Sequence, residues 1–139
     1  MRSDSESAQV SNKRLWPGVI LSALAITFLL FDSIIKVMRL AVAIEGTTRL
    51  GYPAGAVLGI GVLELVCVLV YAIPQSSILG AILLTGYLGG AIASHVRAGS
   101  PLFTHILFPV YVGVLVWGGI FLREERLRAL IPVRSSYRI

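Results

Sequence analysis

Four long apolar runs dominate the pattern of hydrophobic and polar positions along the chain. The breaks between these runs contain Gly, Pro and Ser, which favour turns. A helix needs about 20 apolar residues to cross the hydrocarbon core of a bilayer. The pattern therefore predicts an all-α fold, an integral membrane four-helix bundle, with Pro17 in the first turn of its first helix. The predicted spans are residues 15–38, 54–73, 76–95 and 102–122.

The amino-acid composition agrees with a membrane location. Of the 139 residues, 56% are hydrophobic and 14% are charged, whereas a soluble domain carries about 25% charged residues. The chain has one cysteine, Cys67, and it lies inside an apolar run. One chain therefore offers neither an internal disulfide nor a thiolate metal site.

Short tails flank the apolar region. The predicted organisation is a tail at residues 1–14, one domain at residues 15–122 and a basic tail at residues 123–139, since neither tail can bury a core. Eight of the twelve Lys and Arg residues lie in the tails. The positive-inside tendency then places both termini in the cytoplasm. Basic residues beside apolar runs suit anionic lipid, so we expect lipid as a partner and no nucleic acid.

Five ionisable residues are predicted to share the non-cytoplasmic half of the bundle. The helical rise of about 1.5 Å per residue places the deepest of them, Glu64, about 15 Å below the surface. A charged group at such depth costs on the order of 3 kcal/mol, and it normally faces the interior of a bundle. We therefore predict a polar pocket that opens to the non-cytoplasmic side. The candidate site residues are Asp32, Lys36, Glu64, His95 and His105.

Each candidate has a functional and a structural interpretation. Glu64 either handles protons or anchors a bound headgroup or quinone-like molecule, or it is a structural carboxyl that holds helices together. Asp32 and Lys36, at i and i+4, either form an intrahelical ion pair or contact a ligand. His95 and His105 are either interfacial hydrogen bonders or site residues. We expect no metal site, because the sequence has no HxxxH or ExxH spacing within a helix.

Small residues recur at four-residue spacing in the predicted spans. This spacing lets membrane helices approach closely, so we expect these residues to pack helices together. The pairs are Gly55 with Gly59, Gly86 with Gly90, and Gly89 with Ala93.

Several segments resemble the DoxX-like family of small four-helix membrane proteins. They are Phe31-Asp-Ser-Ile-Ile-Lys36, Gly51-Tyr-Pro, Gly61-Val-Leu-Glu64 and the run Gly-Gly-Ala-Ile-Ala-Ser-His-Val-Arg-Ala-Gly at residues 89–99. The resemblance covers about residues 31–123. The chain departs from the family pattern at Asp32-Ser33, where a glycine is expected before the lysine, and at Thr104-His105. The family takes its name from a subunit of a thiosulfate:quinone oxidoreductase, and the resemblance implies a multi-pass protein of the bacterial inner membrane.

Three functions follow as hypotheses. The first is a non-catalytic subunit or scaffold of a membrane complex, with a redox complex as the candidate that the resemblance implies, whose pocket binds a lipid, a quinone or a partner helix. The second is a quinone-reactive oxidoreductase subunit in which Glu64 and His95 handle protons. The third is a proton-coupled carrier of small solutes, although four spans are few for alternating access. The sequence leaves open the ligand, any catalytic activity, and whether the partner is another membrane protein or a second copy.

Overall fold

The computed structural model describes residues 2–131, and every regular element in that range is helical. The α-helices are α1 (Arg2–Val37), α2 (Ala41–Arg49), α3 (Ala56–Ala72), α4 (Ser77–Arg97), α5 (Phe108–Arg123) and α6 (Glu125–Leu130). A 3₁₀ turn at Pro74–Ser76 joins α3 to α4, and a π-helical turn at Leu102–Ile106 precedes α5. The prediction of an all-α fold is confirmed for these residues.

Three helical segments are long and apolar enough to cross a membrane. They are Asn12–Val37, Pro74–Arg97 and Leu102–Arg123. The fourth apolar helix, α3, has 17 residues, which corresponds to about 25 Å of helix. Large apolar side chains are exposed on the outer surface, including Trp16, Phe31 and Val114, each with more than 60% of its surface exposed (66%, 65% and 64%). Exposed apolar surface on this scale suits contact with lipid.

The first helix begins earlier than the sequence pattern predicts. It starts at Arg2, so Pro17 lies inside the helix. The prediction that Pro17 occupies the first turn is therefore wrong. Proline removes one backbone donor from a helix interior, and membrane helices tolerate this loss.

The four longest helices pack around a common core. Helix α1 packs against α3 and α5, and α4 packs against the same two helices. Each of these neighbouring pairs is antiparallel. Between α1 and α3, for example, Ser22 contacts Tyr71 and Lys36 contacts Glu64. Consequently α1 and α4 end, and α3 and α5 begin, at one end of the structure, where α2 also lies. We call this the α2 end.

Glycines permit close approach at some helix crossings. A Cβ atom on Gly61 would lie 2.6 Å from Lys36 Cβ, and one on Gly18 would lie 2.6 Å from Arg123 Cγ. Gly80 faces the backbone of Tyr71 across the α3–α4 hairpin in the same way. These contacts hold the helix backbones closer than any larger residue would allow.

The glycine pairs singled out from the sequence lie elsewhere. A Cβ atom on any of the five glycines in these pairs would find no heavy atom within 4 Å. The prediction that they pack helices of this chain together is wrong, because the four-residue spacing puts two glycines on one face without specifying which face. They are Gly55, Gly59, Gly86, Gly89 and Gly90, all exposed.

Gly80→Ala tests this distinction between the two kinds of glycine. The added methyl would collide with the Tyr71 backbone, so we expect the free energy of unfolding to fall by about 2 kcal/mol. Gly89→Ala on the same helix is the matched control, since its methyl meets open space, and it should leave stability unchanged or slightly raised. Thermal unfolding in one detergent compares the two. Equal destabilisation of both variants would contradict the packing described here.

Candidate functional site

A cluster of polar side chains from α1, α3 and α4 meets at Lys36. The Lys36 ammonium donates hydrogen bonds to Asp32 Oδ2 at 2.5 Å, to Glu64 Oε2 at 2.9 Å and to the Tyr87 hydroxyl at 2.9 Å. Tyr87 in turn donates its hydroxyl proton to Glu64 Oε2 at 2.9 Å. We call these four residues the Lys36 cluster.

Local sequence explains why the Lys36 cluster forms. Asp32 and Lys36 are four residues apart on α1, so they share one face of the helix. Gly61 lies one turn before Glu64 on α3, and its missing side chain lets the backbone at Lys36 approach α3 directly. The glycine thus brings the two charged side chains into hydrogen-bonding range.

Tyr87 is the member of the cluster that the sequence analysis missed. It lies in the middle of α4, and its side chain is half-buried. Tyrosine is typical of the interfacial ends of membrane helices, where its hydroxyl reaches water. A tyrosine far from both ends of an apolar helix was therefore the available signal, because its hydroxyl needs a partner inside the protein.

The carboxylate of Glu64 is the most buried charged group of the cluster. Its side chain has 0% exposure, and Oε1 has no hydrogen-bond partner among the described residues. Asp32 differs, because its side chain retains 31% exposure. The cluster therefore combines two carboxyl groups with one ammonium group, and acceptor oxygens outnumber their donors.

The Lys36 cluster lies on the wall of a large cavity. The cavity has a volume of about 760 Å³, and its lining comes from α1 to α5 and is mainly apolar. Several lining side chains are also exposed on the outside, such as Leu63 on α3 and Leu83 on α4. The cavity is therefore open on the apolar flank of the helices. The polar cluster forms another part of its wall.

Helix α2 covers the cavity at its end of the structure. Ala43 and Thr47, on its buried face, line the cavity. The connection from α2 to α3 is fixed to the end of α4, because Arg97 donates to Leu50 O at 3.0 Å and the Tyr52 and Ser94 hydroxyls lie 2.7 Å apart. These contacts hold α2 against the cavity at this end of the structure.

The two histidines form a pair beside the cavity. The His95 and His105 rings are edge-to-face with centroids 5.7 Å apart. His95 lies 3.1 Å from Ser100 Oγ through Nδ1 and lines the cavity. His105, in the exposed π-helical turn, lies 2.7 Å from Thr104 Oγ1 and is not among the lining residues. Hence His95 shares the cavity with the Lys36 cluster, while His105 lies outside it.

Of the five residues predicted to share a pocket, the structure brings Asp32, Lys36 and Glu64 into direct contact and places His95 on the same cavity. Their roles as site residues remain predictions. Within residues 2–131 there is no group of three or more His, Cys, Asp or Glu side chains that could hold a metal ion.

Comparison with known families identifies the class of protein. The family model described as the DoxX-like family matches residues 20–119. Since the match covers most of the chain and includes every residue of the Lys36 cluster and both histidines, the chain belongs to the DoxX-like family. Neither a curated protein nor a solved structure matches it.

Lys36→Met tests the energetics of the cluster. It leaves the fully buried Glu64 without its ammonium partner, so we expect a loss of about 3 kcal/mol in the free energy of unfolding. The double variant Lys36→Met/Glu64→Leu removes both charges and should recover much of this loss, because an apolar pair can replace a buried ion pair.

Unfolding of both variants in the same detergent gives the comparison. Lys13→Met, at an exposed lysine near the start of the first span, is the control and should change little. A double variant less stable than Lys36→Met alone would show that Glu64 contributes without needing the charge of Lys36.

Proposed function

We propose that this DoxX-like protein binds an amphiphilic molecule in the cavity and serves as a non-catalytic subunit or scaffold of a membrane complex, with a redox complex as the first candidate. The observation that carries the proposal is the cavity of about 760 Å³ with apolar walls and one charged, hydrogen-bonded patch. Ligand cavities commonly have about 300–1,000 Å³ and combine apolar walls with a few polar groups that fix orientation.

The shape of the cavity supports a ligand that comes from the bilayer. Leu63 and Leu83 line it and are 57% and 40% exposed, so its apolar flank is continuous with surface that faces lipid in a membrane. A molecule with an apolar body can enter there and place its head at the Lys36 cluster. The ligand therefore does not have to enter from water past α2.

The bonding of Lys36 supports a binding role over a catalytic one. An ammonium group has three protons, and those of Lys36 have three acceptors, in Asp32, Glu64 and Tyr87. A nucleophilic lysine needs a free, deprotonated amine. The side chain that joins the helices is thus already committed to holding them together.

We propose four spans, with both termini in the cytoplasm and the α2 end facing the periplasm of a bacterial inner membrane. Three segments have spanning length. Helix α3 lies between α1 and α4 in the chain and is antiparallel to both, so it runs back across the same thickness. A helix of about 25 Å can cross by local thinning of the bilayer. The tails at residues 1–14 and 123–139 then flank one domain at residues 15–122, and eight of twelve basic residues face inwards.

A protein partner would pack against the exposed apolar surface of these helices. The candidates are another membrane protein and a second copy of this chain. On α4, Gly89 and Ala93 are exposed one turn apart, and small residues at this spacing allow a neighbouring helix to approach closely.

A quinone-reactive oxidoreductase subunit is the second candidate. It is favoured by one observation: His95 and Glu64, which both can carry protons, line the same cavity. In that function the apolar walls would hold the quinone ring and tail, and the two side chains would exchange protons with it.

Ligand that co-purifies with the protein tests the proposed binding role. We expect wild-type protein in mild detergent to retain an amphiphile at near-equal molar amount, detected by solvent extraction and mass spectrometry. Gly86→Leu should reduce the amount several-fold, because Gly86 lines the cavity and its added side chain meets open space. Gly89→Leu, also open but outside the lining, should retain it.

Four results are informative here. Recovered quinone would favour the oxidoreductase candidate, and another lipid would favour the scaffold. Equal recovery from both leucine variants, or an empty cavity in repeated preparations, would contradict binding at this cavity.

Cysteine labelling in intact cells tests the proposed orientation. Thr48→Cys on the exposed face of α2 should react with a membrane-impermeant maleimide. Ser135→Cys in the C-terminal tail should react only after the membrane is permeabilised. The native Cys67 is buried, so the wild-type chain provides the unlabelled control. Labelling of Ser135→Cys in sealed cells would contradict the proposed orientation and place the C-terminus outside the cytoplasm.

A further inference from the structure

The hydrogen bonds around the cavity point to the kind of head group that it accepts. We propose that the cavity selects amphiphiles whose head donates hydrogen bonds and carries no negative charge, such as a long-chain amine or alcohol, and discriminates against a long-chain carboxylate. The proposal rests on the binding role proposed above and names the chemistry of the ligand.

The donors that line the cavity are nearly all engaged within the protein. Lys36 has three acceptors, and Tyr87 donates to Glu64. Ser94 donates to Gly90 O at 2.8 Å, so the proton between Tyr52 and Ser94 comes from Tyr52. Thr47 donates to Ala43 O at 2.8 Å. An anionic head would therefore find these hydroxyl and ammonium protons already used.

Acceptors on the same wall remain available. Only one oxygen of Asp32 accepts a hydrogen bond from the described residues, and 31% of its side chain is exposed. Glu64, which contacts the same Lys36 ammonium, has its Oε1 buried and unpartnered among those residues. A donor head reaches Asp32 directly. The buried oxygen adds negative potential that favours the same head and opposes an anion.

His95 and Cys67 are the lining residues with donor capacity left. A thiol is a weak donor, and Cys67 is buried. His95 contacts Ser100 through Nδ1, which leaves Nε2. His95 lies near the end of α4, two turns beyond Tyr87, and therefore toward the α2 end from the cluster. Near the cluster the two carboxyl groups of Asp32 and Glu64 face one ammonium, that of Lys36, which leaves a net negative charge when both acids are ionised.

Three ligands with the same alkyl chain test the selectivity: dodecylamine, dodecanol and dodecanoate. The full chain is reconstituted in nanodiscs of zwitterionic phosphatidylcholine, and bound ligand is counted by native mass spectrometry. Binding to Gly86→Leu gives the background from the bilayer. We expect the amine and the alcohol to bind at least about tenfold more tightly than the carboxylate, since like-charge contact is costly.

Asp32→Asn identifies the origin of the selectivity. Removing this accessible negative charge should narrow the ratio of amine to carboxylate affinity to about threefold or less. Glu45→Gln is the matched control, because Glu45 is an exposed acid paired with Arg49 on α2 and does not line the cavity. It should leave the ratio unchanged.

The outcomes separate the two proposals. If none of the three ligands binds wild-type protein above the Gly86→Leu background, the binding role itself fails. If all three bind above it with equal affinity, or if dodecanoate binds best, the cavity is a binding site and the selectivity is overturned. A ratio that Glu45→Gln changes as much as Asp32→Asn does would trace the effect to overall charge and also overturn it.

Discussion

The three hydrogen bonds of the Lys36 ammonium are the interaction on which the rest of the structure depends. They join α1 to Glu64 on α3 and to Tyr87 on α4, and they place charged groups where a bare carboxylate would cost several kcal/mol. Because ammonium donors are directional and few, this arrangement fixes the spacing of three helices at one level. The cavity lies beside the cluster, and all four residues of the cluster line it.

Close backbone contact makes this interaction possible. Gly61 admits α1 at the level of Lys36, and Gly80 brings α3 and α4 together at the other end of the hairpin. Tyr71 adds a second polar link there, with its hydroxyl 2.9 Å from Ser22 Oγ and 2.8 Å from Val116 O. The helices are therefore linked at two levels, at the Lys36 cluster near the middle of α3 and α4 and at Tyr71 farther from the α2 end. The packed end then provides a stable frame for the ligand site that we propose at the cavity.

Much of this arrangement could be predicted from sequence, because membrane depth leaves ionisable residues few places to go. The spacing of Asp32 and Lys36 and the position of Glu64 near the middle of an apolar run predicted that they would share the non-cytoplasmic half of the bundle. Tyr87 was missed because an uncharged tyrosine does not interrupt an apolar run in a hydropathy profile. The exposed glycines were assigned to packing because spacing does not specify the face on which a pair lies. The position of His105 depends on the π-helical turn at Leu102–Ile106, which no sequence pattern indicated.

The most direct test is the distance between Lys36 and Glu64 in a lipid bilayer. Solid-state NMR of protein labelled at the Lys36 side-chain nitrogen and the Glu64 carboxyl carbon measures it through their dipolar coupling. The structure predicts a measurable coupling between them, because Nζ and Oε2 are 2.9 Å apart and the carboxyl carbon is bonded to this oxygen. Absence of coupling, with both side chains in contact with acyl chains, would contradict the account and leave a set of apolar helices without a shared polar site.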